Sequence, residues 1–379
     1  MRVLLAGGGT AGHVEPALNA ADVLLGRDPT TDILLLGTAR GLEVRLVPER
    51  GYELALISAV PLPRRPNRDL LALPTRLRRA VREVRQLMDR QGTDVVVGFG
   101  GYVAMPAYLA ARGRVPIVIH EANAKAGIAN RLGARFTPHV VQATAGSIKG
   151  AQTIGIPLRT AIADLDRMAS RSHGRDYFGL DPERPCLLVF GGSLGARRIN
   201  DSVFAAVPGI VGSGYQVLHV LGGNNLDQGA DVSQLPDEVR AHYHPVGYVD
   251  RMDLAYAAAD LALCRSGAMT CAELAAVGLG AIYVPLPHGN GEQRLNAAGI
   301  VAAGGGEFLL DEQLSGESVT RAVLSKLEAR DELETMCANA QRMGNRGAGE
   351  ELANIIVRAA NPSAGANTGD FPPPEERQS

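Results

Sequence analysis

Several things are scarce in this sequence. Its 379 residues hold four cysteines, Cys186, Cys264, Cys271 and Cys337, and none of them has a CxxC partner. Cys186 and Cys264 sit inside apolar, strand-like runs, which points to buried free thiols in a reducing cytosol and away from a disulfide framework or a metal site. Neither sign of charge dominates: the formal net charge is -2, so no global field draws nucleic acid. No apolar stretch reaches the roughly 18 residues that a membrane span needs, and Arg2-Val3-Leu4-Leu5 enters a strand pattern without a secretory leader. A soluble, cytoplasmic protein is expected, one still able to touch a membrane surface.

Glycine, by contrast, is abundant. Three glycine-rich loops each follow an apolar run and open a helix-like stretch: Ala6-Gly7-Gly8-Gly9-Thr10-Ala11-Gly12-His13, Phe190-Gly191-Gly192-Ser193-Leu194-Gly195-Ala196-Arg197, and Cys264-Arg265-Ser266-Gly267-Ala268-Met269-Thr270. Glycine lets the main chain approach an anion, and the unpaired amides of a helix start stabilise negative charge. Both halves of the chain therefore look built to face a phosphorylated ligand.

Short apolar runs alternate with helix-length segments, the pattern of parallel sheets with crossover helices. The first series is Val3–Ala6, Ile33–Gly37, Leu54–Ile57, Val95–Gly98, Ile117–His120 and Val140–Gln142. After a break at Ile154-Gly155-Ile156-Pro157-Leu158-Arg159, a second follows: Cys186–Phe190, Val217–Leu221, Val246–Val249, Leu261–Cys264, Ala281–Pro285 and Glu307–Leu310. The fold class is α/β, with two doubly wound, Rossmann-like domains facing across a cleft. Expected boundaries are 1–157 for the first domain and 158–343 for the second, with a helix at 344–360 returning to the first and a Pro- and Gly-rich disordered tail at 361–379.

Gly7-x-Gly9-x-x-Gly12 matches the dinucleotide fingerprint, yet the second strand runs out as Leu36-Gly37-Thr38-Ala39-Arg40 without the acid that would hold a ribose. A nicotinamide enzyme is disfavoured. His13 stands where the first loop becomes a helix; it either caps and packs there or, kept neutral by the helix N-terminus, serves as a general base. Thr270-x-x-Glu273 fits a capping box, or Glu273 accepts two ribose hydroxyls. The block Pro287-His288-Gly289-Asn290-Gly291-Glu292-Gln293-Arg294-Leu295-Asn296 is either a surface loop or a set of neutral hydrogen-bonding groups suited to a sugar. Asp164-Leu165-Asp166 is a DxD string in a polar helical stretch and reads as a solvated face.

Pro61 to Arg90 carries nine arginines against three acids, in a chain with only three lysines. Leu73, Leu77, Ala80, Val81, Val84, Leu87 and Met88 recur at helical spacing beneath Arg76, Arg78, Arg79 and Arg82. This is an ordinary surface helix or a contact with anionic lipid.

Taken in order, Gly8-Gly9-Thr10-Ala11-Gly12-His13, Gly98-Phe99-Gly100-Gly101-Tyr102-Val103, His120-Glu121-Ala122-Asn123, the Gly191 to Arg197 loop, the Cys264 to Thr270 loop and Glu292-Gln293-Arg294-Leu295-Asn296-Ala297 give the chain a family resemblance. It resembles the MurG family of bacterial cell-wall glycosyltransferases over nearly its whole length to about Ala360. The resemblance implies a GT-B architecture and cofactor-free, metal-independent transfer with inversion. It implies UDP-N-acetylglucosamine as donor, a polyprenyl-pyrophosphoryl-muramyl-pentapeptide as acceptor, and a peripheral site on the cytoplasmic face of an anionic membrane. Donor and substrate contacts would fall on Thr10, Ala11, Gly12, Asn123, Arg159, Ser193, Val249, Ala268, Met269, Thr270, Cys271, Ala272, Glu273, Gln293 and Asn296. His13 or Glu121 would be the base. The chain departs from the family at Ala11, where glycine is common, at Glu15, where phenylalanine is common, and at Glu292, where a first glutamine is common. A UDP-sugar 2-epimerase would share fold and donor but gain nothing from an arginine-rich face; a nucleotide-sugar binder without turnover is a third reading.

Overall fold

A computed structural model describes residues 1–60, 69–192, 196–222, 232–287 and 291–361. Ser193, residues 61–68 of the arginine-rich segment, 288–290 of the polar block and the tail from 362 onward lie outside the described residues.

Among the described residues, two all-parallel sheets carry the chain. The first holds seven strands, β1 (Arg2–Gly7), β2 (Asp32–Gly37), β3 (Glu53–Leu56), β4 (Val95–Gly100), β5 (Ile117–Glu121), β6 (His139–Gln142) and β7 (Gln152–Thr153), in the order β3-β2-β1-β4-β5-β6-β7. The second holds six, β8 (Cys186–Phe190), β9 (Gln216–Val220), β10 (Tyr243–Val246), β11 (Leu261–Cys264), β12 (Ala281–Tyr283) and β13 (Gly306–Phe308), in the order β10-β9-β8-β11-β12-β13. The strand order reverses between β1 and β4 and again between β8 and β11. Those are the points where open α/β sheets form a crevice at their carboxyl ends.

The apolar runs become strands because helices cover both faces of each sheet, so continuous Val, Leu and Ile segments are buried on both sides. Helix α1 (Ala11–Arg27) buries Val14, Ala17, Leu18, Ala21 and Leu24, one stripe at helical spacing, against Val3, Leu5, Val95 and Val97. The helix Ala348–Ala360 joins the same core through Leu352, Ala353, Ile355, Ile356 and Ala359. On the opposite face, α3 (Asp69–Gln91) buries Ala80, Val84 and Met88. Each fully buried valine, leucine, isoleucine or methionine among them contributes about 1.5–3 kcal/mol.

The structure moves one expected strand and adds another. β10 spans Tyr243-His244-Pro245-Val246 rather than Val246–Val249. Proline argues against a strand, but β10 lies at the outer edge of its sheet, where a missing amide breaks no ladder. β7, two exposed residues beside β6, leaves no hydrophobic signature to read.

The connection between the sheets is pinned to the first domain. Asn19 Nδ2 donates to the Pro157 carbonyl at 2.9 Å, and His120 Nε2 bonds the Gly155 carbonyl at 2.8 Å. From the far end of the chain, Asn345 Nδ2 reaches the Ile154 carbonyl at 2.8 Å.

Candidate active site

The first glycine loop ends β1 at the β1/β4 crevice and opens α1. Thr10 accepts the amides of His13 and Val14 through its carbonyl at 3.0 and 3.1 Å, which starts the helix. The Thr10 hydroxyl lies 3.1 Å from His13 Nδ1. The end of β4 packs against the imidazole. At Gly100, with φ of 103°, a Cβ would stand 2.9 Å from His13 Cδ2. Burial lowers the pKa of His13 below its ordinary value, opposed by the Gly8 carbonyl and by Glu43. The imidazole is accordingly neutral near pH 7, the form a general base needs.

The amide of Gly9 does not wait for a ligand. It donates at 2.8 Å to Glu43 Oε2, a carboxylate from helix α2 (Glu43–Glu49) that no sequence argument singled out. This departs from the expectation that the first loop is an anion cradle like the others. The acid that the dinucleotide fingerprint lacked is present a few residues later, turned inward to the loop instead of outward to a ribose. Its sequence signal is the pair Gly37 and Gly41 just ahead of it in Gly37-Thr38-Ala39-Arg40-Gly41-Leu42-Glu43.

Glu121, at the end of β5, is buried and fully engaged. It accepts the amides of Asn123 at 2.9 Å and Gly127 at 3.0 Å and the side-chain amide of Asn130 at 3.0 Å. Burial raises its pKa against the pull of those donors. Such a carboxylate organises the 122–127 loop. Asn123 sits on that loop, its carbonyl held by the Ser147 hydroxyl at 2.8 Å.

Asn296 joins the two walls. Its Oδ1 accepts the Ala124 amide at 3.0 Å, across the cleft, while its Nδ2 reaches the Ser266 carbonyl at 3.4 Å. Arg159 makes a second junction. It donates to Glu15 of α1 at 2.7 and 3.3 Å, and Glu273 of the second domain also acts on it electrostatically. The departure at Glu15 thus has a partner in the fold.

In the second domain the loop after β11 starts the helix Ala268–Val277 with Gly267 as its cap residue. The amides of Ala268, Met269 and Thr270 lie in the first turn, before internal helix bonds begin. Cys271 turns its thiol into the core and gives its amide to Gly267 at 2.9 Å, so it lies beneath the site. The capping box at Thr270 and Glu273 does not form, because the helix begins too early. Instead Glu273 accepts the hydroxyl of Tyr256 at 2.7 Å, and burial pushes its pKa up to about 7 against that bond and Arg159. Ala272 is half-buried beside it, and Val249 is buried in the same core. Gln293 Oε1 holds the Leu286 amide at 2.9 Å, fixing the loop after β12. Arg265 is locked behind the helix start by the Val284 and Pro285 carbonyls and by Asp311. Ser266 Oγ is buried there without a partner among the described residues.

Two doubly wound parallel sheets whose crevices face each other give the chain a GT-B architecture. Profiles of the glycosyltransferase family 28 N-terminal and C-terminal domains match residues 3–142 and 186–352. A relative from Acidothermus cellulolyticus, named UDP-N-acetylglucosamine--N-acetylmuramyl-(pentapeptide) pyrophosphoryl-undecaprenol N-acetylglucosamine transferase, is 56% identical over 95% of this chain and 98% of its own. The crystal structure of Acinetobacter baumannii MurG, 26% identical, superposes with a TM-score of 0.76 over 94% of this chain and 99% of its own. A UDP-GlcNAc 2-epimerase from Neisseria meningitidis, 14% identical over 94% of this chain and 100% of its own, shares the fold alone at a TM-score of 0.64. The chain belongs to glycosyltransferase family 28 and, within it, to the MurG family.

Glu273 supports a pH prediction. If it accepts two ribose hydroxyls it must be ionised, so UDP affinity rises as pH passes upward through about 7. Below that value binding weakens by up to about tenfold per pH unit. Titration calorimetry between about pH 6 and 8 checks this, and Glu273→Gln should flatten the profile.

Proposed function

We propose that this protein transfers N-acetylglucosamine from UDP-N-acetylglucosamine to the lipid-linked muramyl-pentapeptide, the step from lipid I to lipid II, with inversion at the anomeric carbon. The observation that carries this reading is the near full-length match to a relative named for that transfer. The geometry supports it. His13 stands on the first wall, the Ala268 helix start on the second, and Asn296 ties the walls together. A nucleophile activated on one wall and a leaving group held on the other meet the sugar from opposite faces, which inverts its configuration.

In this mechanism the neutral His13 takes the proton of the acceptor hydroxyl as that oxygen attacks. Negative charge grows on the departing UDP, where the amides of Ala268, Met269 and Thr270 act more strongly on the transition state than on the ground state. Glu273 holds the ribose, and Gln293 and Asn296 face the sugar. Incubation with UDP-N-acetylglucosamine, with and without lipid-linked acceptor, tests the reading. A transferase yields product only with acceptor; an epimerised donor without acceptor, or no product at all, would refute it.

A lipid-linked acceptor calls for a membrane surface, and in this reading the protein is bound peripherally at its cytoplasmic face. Among the described residues no helix is long and apolar enough to cross a bilayer. Helix α3 exposes Arg76, Arg78, Arg79 and Arg82 above its buried Ala80, Val84 and Met88, and Arg79 also pairs with Glu83 at 3.0 Å. Each basic residue near an anionic surface contributes about 1 kcal/mol. Replacing all four with glutamine should weaken binding to anionic vesicles by roughly a hundredfold or more at low salt, less at high salt. Vesicle sedimentation measures this, and unchanged binding would make α3 an ordinary surface helix.

A further inference from the structure

Glu43 is the most costly residue near the site that the mechanism leaves unused. Its carboxylate is fully buried, an arrangement that is unfavourable by several kcal/mol unless its oxygens are well bonded. They are. Oε1 accepts the Thr38 amide at 2.8 Å and the Thr38 hydroxyl at 3.2 Å, and Oε2 accepts the Gly9 amide at 2.8 Å. Space for the side chain comes from glycine on three sides: a Cβ at Gly8, Gly37 or Gly41 would collide with it. Three glycines therefore accommodate one carboxylate.

The bond to Gly9 reaches further than its length suggests. The Gly9 amide and the Gly8 carbonyl are the two ends of one peptide group, that carbonyl acts as a backbone acceptor on the imidazole, and the next residue, Thr10, sets its hydroxyl 3.1 Å from His13 Nδ1. A carboxylate drawing on the N–H end polarises the group and makes its oxygen a stronger acceptor for the imidazole.

We propose that Glu43 is a positioning residue for His13, acting through the Gly8–Gly9 peptide to fix the orientation of the imidazole toward the acceptor hydroxyl. This rests on His13 being the base. It also gives the first glycine loop a different task from the loop after β11: its Gly9 amide serves an internal carboxylate, and the buried negative charge there disfavours a phosphate.

A double-mutant cycle on the full chain tests the proposal, using UDP-N-acetylglucosamine and lipid-linked acceptor. Glu43→Gln keeps the shape, removes the charge and sets an amide donor against one of the N–H groups. We expect kcat to fall about 10- to 100-fold while KM for the donor stays within about twofold. In a His13→Ala background the same change should cost less than about twofold in kcat, because the group it positions is gone. Equal losses in both backgrounds would mean that Glu43 only builds the domain and would overturn the proposal, as would native kcat in Glu43→Gln. Should that variant fail to show native thermal unfolding and UDP binding, Glu43→Asp, which keeps the charge but retracts it, is judged by the same cycle. Native turnover in His13→Ala alone would remove the base itself, an outcome distinct from an uncoupled Glu43.

Discussion

Replacing His13 by alanine should lower kcat by about 10²- to 10⁴-fold while leaving UDP-N-acetylglucosamine affinity within about twofold. The split follows from position. His13 belongs to the wall built by β1 and β4, whereas the groups proposed to hold the donor belong to the wall built by β8 and β11. Loss of general base catalysis acts on the attacking hydroxyl and not on the bound nucleotide. Burial holds the His13 pKa below its ordinary value, so kcat at saturating donor should hold around neutral pH and decline only at more acidic pH. The sign is that of a base: protonation removes activity. The alanine variant should lose this acid limb. Steady-state kinetics over a pH series, with donor binding measured separately, checks both parts, and a variant with native turnover would assign the proton transfer elsewhere.

The second large effect is on stability. Asp311 should be worth about 3–5 kcal/mol to the second domain, read as a lower urea midpoint in Asp311→Ala. Arg265 and Asp311 are both buried, 2.5 Å apart, in an ionic contact rather than an aligned hydrogen bond. Removing the carboxylate leaves a guanidinium in the interior with, among the described residues, the Val284 and Pro285 carbonyls as its hydrogen-bond partners. Arg198, exposed and 3.3 Å from the other Asp311 oxygen, can turn to solvent without penalty. The paired change Arg265→Met with Asp311→Leu should recover much of the loss, since a buried ion pair is little better than well-packed apolar groups. Donor binding should fall in both, because Arg265 backs the turn that starts the Ala268–Val277 helix.

Much of this could be read along the chain. The motif blocks beginning at Gly8, Gly98, His120, Cys264 and Glu292 are contiguous, so their local order was visible before any contact was known. The apolar runs of β8 and β11 ended where the strands end, because strands buried on both faces show as unbroken hydrophobic segments. The edge strand β10 could not be placed in the same way. Its Pro245 is tolerated only because of where the strand lies in the sheet.

Glu43 shows the other limit. As a letter it is one acid among 40 acidic residues, and only the approach of α2 to the β1 loop makes it a buried partner of Gly9. Glu121 stands in a motif block as a candidate base, and only the fold shows its oxygens accepting from Asn123, Gly127 and Asn130. Glu273 and Thr270 had the spacing of a cap, but Tyr256, distant along the chain, takes the carboxylate.

By itself, then, the sequence determined the class of fold, the family and the short glycine loops, since these depend on periodicity and on neighbours along the chain. Tertiary structure alone decided which carboxylates are spent on main-chain amides, which arginines are paired, and that Asn296 spans the cleft to Ala124. Those outcomes depend on desolvation and on distances between groups far apart in sequence, and neither quantity exists until the two sheets have folded and faced each other.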